Sequence, residues 1–133
     1  MQSSVCFAAA LALAGCPGRE PVPECATVDT ACAPLYPPTS FTNVYGMTMS
    51  RSCGTTKGSC HSSSGDSGIS YVTEQAAYDN LLAKDVTPGD AACSQLVVRT
   101  SMTGHDYTMP RGSSLVPAER CAILQWVQAG APR

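Results

Sequence analysis

The chain has 133 residues, a net charge of −2 and 14% charged residues, with no run of Lys or Arg that could neutralise phosphates, which argues against nucleic-acid binding. Length fits one small domain with extensions. Only 6% of residues are aromatic, so the core is thin, and a thin core in a small domain calls for disulfides, a metal or a cofactor. Eight cysteines supply the means and point to an oxidising compartment.

In chain order, residues 1–16 read as a targeting segment. Val5 to Gly15 is an apolar run too short to span a bilayer and of the length of a signal h-region. A buried apolar helix is the other reading of that run. Leu13-Ala14-Gly15-Cys16 resembles the lipobox of bacterial lipoproteins, which implies a signal peptide over 1–16 and lipidation of Cys16. Pro17 follows Cys16. By the same resemblance this implies sorting to the outer membrane, an extracytoplasmic location and a membrane partner through the lipid anchor.

Residues 17–40 contain six of the ten prolines and read as an extended, solvated Pro-rich linker. Cys25 and Cys32 lie inside it, and the simplest expectation is a local bond between them. A reactive thiol pair is disfavoured, because no Lys, Arg or His flanks either cysteine to lower its pKa.

From residue 41 to 133 the pattern becomes that of a folded domain. Phe41, Val44, Tyr45 and Met49 fit one face of a short helix leading into Cys53. Ser62 to Gly68 is a loop, and Thr73 is a cap for a helix over Glu74–Lys84 that carries Ala77, Tyr78, Leu81 and Leu82. Pro88-Gly89-Asp90 is a turn, Ser94–Met102 a third short helix, and Gly104–Ser114 an irregular loop. Pro117 opens a final helix that ends at Gly130, with Ile123, Trp126 and Val127 on one face. The expected fold is therefore mostly α, about four short helices with long loops.

The chemistry concentrates in Cys53-Gly-Thr-Thr-Lys-Gly-Ser-Cys60-His61. A histidine directly after a cysteine, with a second cysteine upstream, is the outline of a haem attachment site, in which two thiols bond the porphyrin vinyls and the imidazole reaches the iron. The attachment motif proper has two residues between its cysteines, and this chain has six. Gly54 and Gly58 give the longer arm room to bulge. A Cys53–Cys60 disulfide is the alternative reading of the same stretch. A zinc site from Cys53, Cys60, His61 and His105 matches no finger spacing. No paired carboxylates, nucleophile–base set or phosphate-binding loop suggests an enzyme.

From Cys53 onward the order of landmarks resembles a family of small bacterial haem-binding domains of the cytochrome c type, frequent in myxobacterial and planctomycete secreted proteins. The landmarks are Cys60-His61, Ala76-Ala-Tyr-Asp-Asn-Leu-Leu82, Val86-Thr-Pro-Gly-Asp90, Met109-Pro110 and Ile123 to Ala131. The resemblance implies a cytochrome c-like fold over 41–133, covalent haem c with its iron, electron transfer to a redox partner protein, His61 as proximal ligand and Met109 as distal ligand. Met109 also stands out on its own, because a methionine in a polar loop is poorly placed for a core, and a thioether on iron raises the potential. The competing reading is a gap-filling methionine. His105 is a rival ligand that reads more simply as an exposed histidine. Met47, Met49 and Met102 are the remaining candidates. With Cys16 lipidated and Cys53 and Cys60 given to haem, Cys93 and Cys121 are left to pair with each other. The alternative function is a haem-free, disulfide-stapled lipoprotein with a structural or binding role.

Overall fold

A computed structural model describes residues 19–54, 61–62 and 68–133. Among the described residues the chain is helical with long loops and contains no strand. The signal segment, Cys16 and Cys60 lie outside them. The mostly helical expectation holds.

The first helical stretch runs from α1 (Phe41–Val44) through a π-helical turn (Tyr45–Met49) into α2 (Ser50–Ser52). It buries Phe41, Val44, Thr48 and Met49. The π turn widens the spacing between Val44 and Met49, so a strict 3.6-residue period does not describe this face. Helix α3 (Glu74–Lys84) starts where Thr73 caps it, the Thr73 hydroxyl accepting from the Ala76 N–H at 3.2 Å. That satisfies one donor which the first turn otherwise leaves open. Helix α4 (Gln95–Ser101) follows a turn in which the buried Ser94 hydroxyl donates to Asp90 O at 2.7 Å and accepts from Thr87 N at 2.9 Å. Helix α5 (Pro117–Gln128) places Pro117 in its first turn and buries Cys121, Ala122, Ile123, Leu124, Trp126 and Val127.

The core forms where α1, α3 and α5 meet. Phe41 lies 5.1 Å from Trp126 and 5.2 Å from Tyr78 between ring centroids, both pairs tilted, the spacing at which aromatic pairs add to simple burial. The end of α5 closes this junction. Gly130 adopts φ 97°, which glycine permits without strain, and the chain turns so that Pro132 O accepts from Trp126 Nε1 at 2.8 Å and from Phe41 N at 3.0 Å.

The segment expected to be a solvated linker is extended, but from residue 19 it is bound to the helices. Ala26 N donates to Ala92 O at 2.8 Å and Leu35 N to Ala118 O at 2.9 Å. Tyr36 is buried in the core, its hydroxyl 2.8 Å from Thr48 Oγ1. Proline content forbids helix here but not docking, since an extended chain can be held by its carbonyls. The disulfide pairing is also different from the expected one. Cys25 bonds Cys93 and Cys32 bonds Cys121, so the expected Cys25–Cys32 and Cys93–Cys121 bonds are not formed. Cys25–Cys93 staples the extended strap to the turn before α4, and Cys32–Cys121 staples it to α5.

Candidate functional site

His61 is positioned from both sides. Its carbonyl accepts from Tyr71 N at 2.8 Å, and its ring stacks on Tyr71 at 4.4 Å with a 26° interplanar angle. The segment carrying Tyr71 is held in turn by the helices. Tyr45 Oη lies 3.1 Å from Tyr71 O and 3.0 Å from Val72 O, Asn80 Nδ2 donates to Ser70 O at 3.2 Å, and Lys84 Nζ donates to Gly68 O at 3.2 Å. The amphipathic order of α3, with Asn80 and Lys84 one turn apart, thus reaches the histidine through one intervening strip of backbone.

His61 Nδ1 lies 3.3 Å from Ile69 O. A carbonyl oxygen only accepts, so Nδ1 is the protonated nitrogen in that hydrogen bond and the ring lone pair falls on Nε2, the tautomer of a metal-ligating histidine whose other nitrogen is oriented by a carbonyl. Burial lowers the His61 pKa, with the Ile69 hydrogen bond and the Asp85 charge opposing. The neutral imidazole is the form that ligates.

Cys53 reaches the same place by way of the π turn, with Cys53 N and Gly54 N both donating to Met49 O at 2.9 Å. A Cβ on Gly54 would stand 3.2 Å from Ser50 O, a tight contact, and 3.4 Å from Tyr71 O, an ordinary one, so glycine at 54 eases the turn against Ser50. Cys53 is a free thiol. Cys60, the partner in the alternative Cys53–Cys60 disulfide, lies outside the described residues. Burial, with a smaller push from the Glu119 charge, drives the Cys53 thiol up to about 12.

Met109 sits in the 103–114 loop at the far end of α4, half-buried, its N–H donating to Arg99 O at 2.9 Å. The peptide between Met109 and Pro110 is cis. Arg99 connects this loop electrostatically to the histidine side. Burial raises the pKa values of Asp85 and Tyr71, and in both the Arg99 charge opposes that rise. His61 likewise acts on Asp85. Tyr71, Asp85 and Arg99 were not legible as site residues, because each is a single side chain in a different segment with no motif of its own.

The rival ligands are placed elsewhere. His105 is 35% exposed, its Nδ1 is 2.7 Å from Glu20 Oε1, and its ring stacks on Tyr107 at 4.9 Å. Met49 is fully buried in the core and Met47 is 39% exposed. Met102 caps the end of α4. Among the described residues no group of three or more His, Cys, Asp or Glu side chains could hold a metal ion by itself. Cys60, the other thiol of the motif, lies outside the described residues. Among the described residues His61 offers an imidazole, Cys53 a free thiol and Met109 a thioether in a separate loop, the ligand types that haem c takes.

No family model, curated protein or solved structure matches the chain. The class of molecule that the coordinates define is a small, mostly helical domain with a disulfide-stapled N-terminal strap.

Proposed function

We propose that the protein is a lipid-anchored, extracytoplasmic c-type cytochrome. It carries electrons to or from a redox partner protein and has no enzymatic activity of its own. Haem c would be bonded through Cys53 and Cys60, or through Cys60 alone, with His61 and Met109 as iron ligands; the iron then supplies one-electron chemistry. Cys16 would carry the lipid and hold the protein at the outer membrane. The observation that carries this reading is the unpaired Cys53 thiol, close enough to Tyr71 for its charge to act on the ring that stacks on His61, in a chain whose other four described cysteines are all bonded. This chain's residues would orient the imidazole through Ile69 and Tyr71 and bury the thiol arm against Tyr71.

The test is expression with a haem-attachment system, followed by acid–acetone extraction and mass mapping. Haem should stay on the chain, His61→Ala should abolish its incorporation, and Met109→Ala should lower the midpoint potential while His105→Ala does not. A colourless product with Cys53 linked to Cys60 would overturn the reading. That outcome favours the second reading, a haem-free stapled lipoprotein with a structural or binding role. Its support is the pair of disulfides that tie the strap to the rest of the domain.

A further inference from the structure

The strap is fastened in two sections whose staples differ in access. In its first section Glu20 N donates to Asp106 Oδ2 at 3.1 Å, Glu20 Oε1 meets His105 Nδ1 at 2.7 Å, and Pro23 O accepts from Gln95 Nε2 at 3.2 Å. The staple of this section is Cys25–Cys93, and both cysteines are solvent-exposed. In the second section Gln125 Nε2 donates to Thr30 O at 3.1 Å and to Cys32 O at 2.8 Å, and Tyr36 enters the core. Its staple, Cys32–Cys121, is partly buried at Cys32 and only 3% exposed at Cys121. Val28, between the two, packs against the core cluster.

Thiol–disulfide exchange proceeds by attack of a thiolate on one sulfur, so access decides which bond an external thiol reaches. We propose that Cys25–Cys93 is a redox latch: an external dithiol opens this bond alone and undocks residues 19–27 from the 103–114 loop. The attacking thiolate bonds one sulfur of the pair and expels the other as a thiolate. The second thiol of the reagent then resolves the mixed disulfide. The dithiol becomes a disulfide, and Cys25 and Cys93 gain two electrons and two protons. What then remains on residues 19–27 is the exposed Glu20–His105 ion pair, the Glu20–Asp106 bond, the Gln95–Pro23 bond and the Ala26–Ala92 backbone bond, a set of single solvent-accessible contacts with no covalent tie to hold the segment in place.

The consequence falls on a defined surface. His105 and Asp106, the two residues that Glu20 holds, line an open cleft of about 400 Å³ in the 103–114 loop together with Arg111. Opening the latch frees that wall of the cleft. Cys53 does not take part, because its thiol is held protonated. The inference does not depend on haem.

The experiment treats the intact, folded chain with increasing dithiothreitol, traps thiols with iodoacetamide and maps the modified peptides. The ring resonances of His105 are followed by NMR in parallel; the chain has two histidines, so His105→Gln assigns them. Cys25 and Cys93 should be labelled roughly tenfold faster than Cys32 and Cys121. The His105 ring signals should move, as reduction proceeds, to the positions they hold in Glu20→Gln. Simultaneous opening of both bonds, prior opening of Cys32–Cys121, or an unmoved His105 signal in protein reduced at Cys25 and Cys93 would each overturn the latch. The variant Cys25→Ala/Cys93→Ala should show the released His105 signal without any reductant.

Discussion

The molecule holds its two sides by different means. On the α4–α5 side a segment with no helix of its own is bound by two disulfides and a series of backbone hydrogen bonds. On the His61 side the described residues are held by one ring stack, by the Tyr71 N–His61 O and His61 Nδ1–Ile69 O hydrogen bonds, and by side-chain hydrogen bonds from Tyr45, Asn80 and Lys84. Cross-links lie where the chain has little apolar surface to bury, and the one described cysteine on the other side, half-buried against the core, is left unpaired. Cys53 adds no staple, which is why a chemical role for it is the more economical account.

The largest expected effect that tests this contrast is on Cys53 itself. With its pKa pushed up to about 12 by burial, the thiolate fraction at pH 8 is about one in ten thousand, against roughly one in ten for an ordinary thiol with a pKa near 9. Alkylation of folded protein should thus be roughly a thousandfold slower than in strong urea. The same shift has a sign for stability. Between pH 9 and the folded value near 12 the native state holds the proton and the unfolded state has lost it, so stability falls as pH rises through that window. Equal alkylation rates in folded and unfolded protein would show that burial does not hold the Cys53 thiol protonated.

The next effect separates the two staples. They close sequence separations of 68 and 89 residues, a difference worth only about 0.2 kcal/mol in chain entropy. What distinguishes them is what each one orders in the folded state. Cys32→Ala/Cys121→Ala should cost about 3 kcal/mol in urea unfolding, and Cys25→Ala/Cys93→Ala about half as much because its section can fray without disturbing Tyr36. Equal losses would mean that loop closure alone sets the benefit.

This difference also marks what the sequence discloses. Helix α3 is readable to the residue, since a Thr cap, apolar spacing and a basic last turn are all local signals. The start of α5 at Pro117 and its close at Gly130 are readable for the same reason. The disulfide partners are not, because spacing along the chain carries no information about which helix a strap will cross. The docking of residues 19–40 was hidden by composition: the six prolines of residues 17–40 suggest a solvated tether, and Tyr36 alone gives no periodic pattern. At the candidate site, Cys53 and His61 are visible as a motif, whereas Tyr71, on which both converge, is an isolated aromatic in a loop.

On the unstapled side, Tyr71→Leu keeps apolar bulk but removes the stack beneath His61. The expected loss is about 1.5 kcal/mol, with a displaced His61 ring signal as the second readout. A stability change without movement of that signal would mean that the Ile69 and Tyr71 backbone contacts, and not the ring, fix the histidine.

The smallest effect lies at the seam between the two sides. Tyr36 belongs to the stapled strap and Thr48 to the helical stretch that leads to Cys53, and their hydroxyls meet at 2.8 Å in a buried setting. Burial raises the Tyr36 pKa, the Thr48 hydrogen bond partly opposing it, so the phenol stays neutral across the pH range in which the fold is studied. Removing one partner leaves the other hydroxyl buried without its mate, and Tyr36→Phe should cost about 1 kcal/mol. Thr48→Val alone should cost a similar amount, since it orphans the phenol instead. The double variant should lose less than the sum of the two, because no polar group is then stranded. Strict additivity would show that the hydroxyls do not couple, and the strap would then be joined to the Cys53 helix by packing of the Tyr36 ring alone.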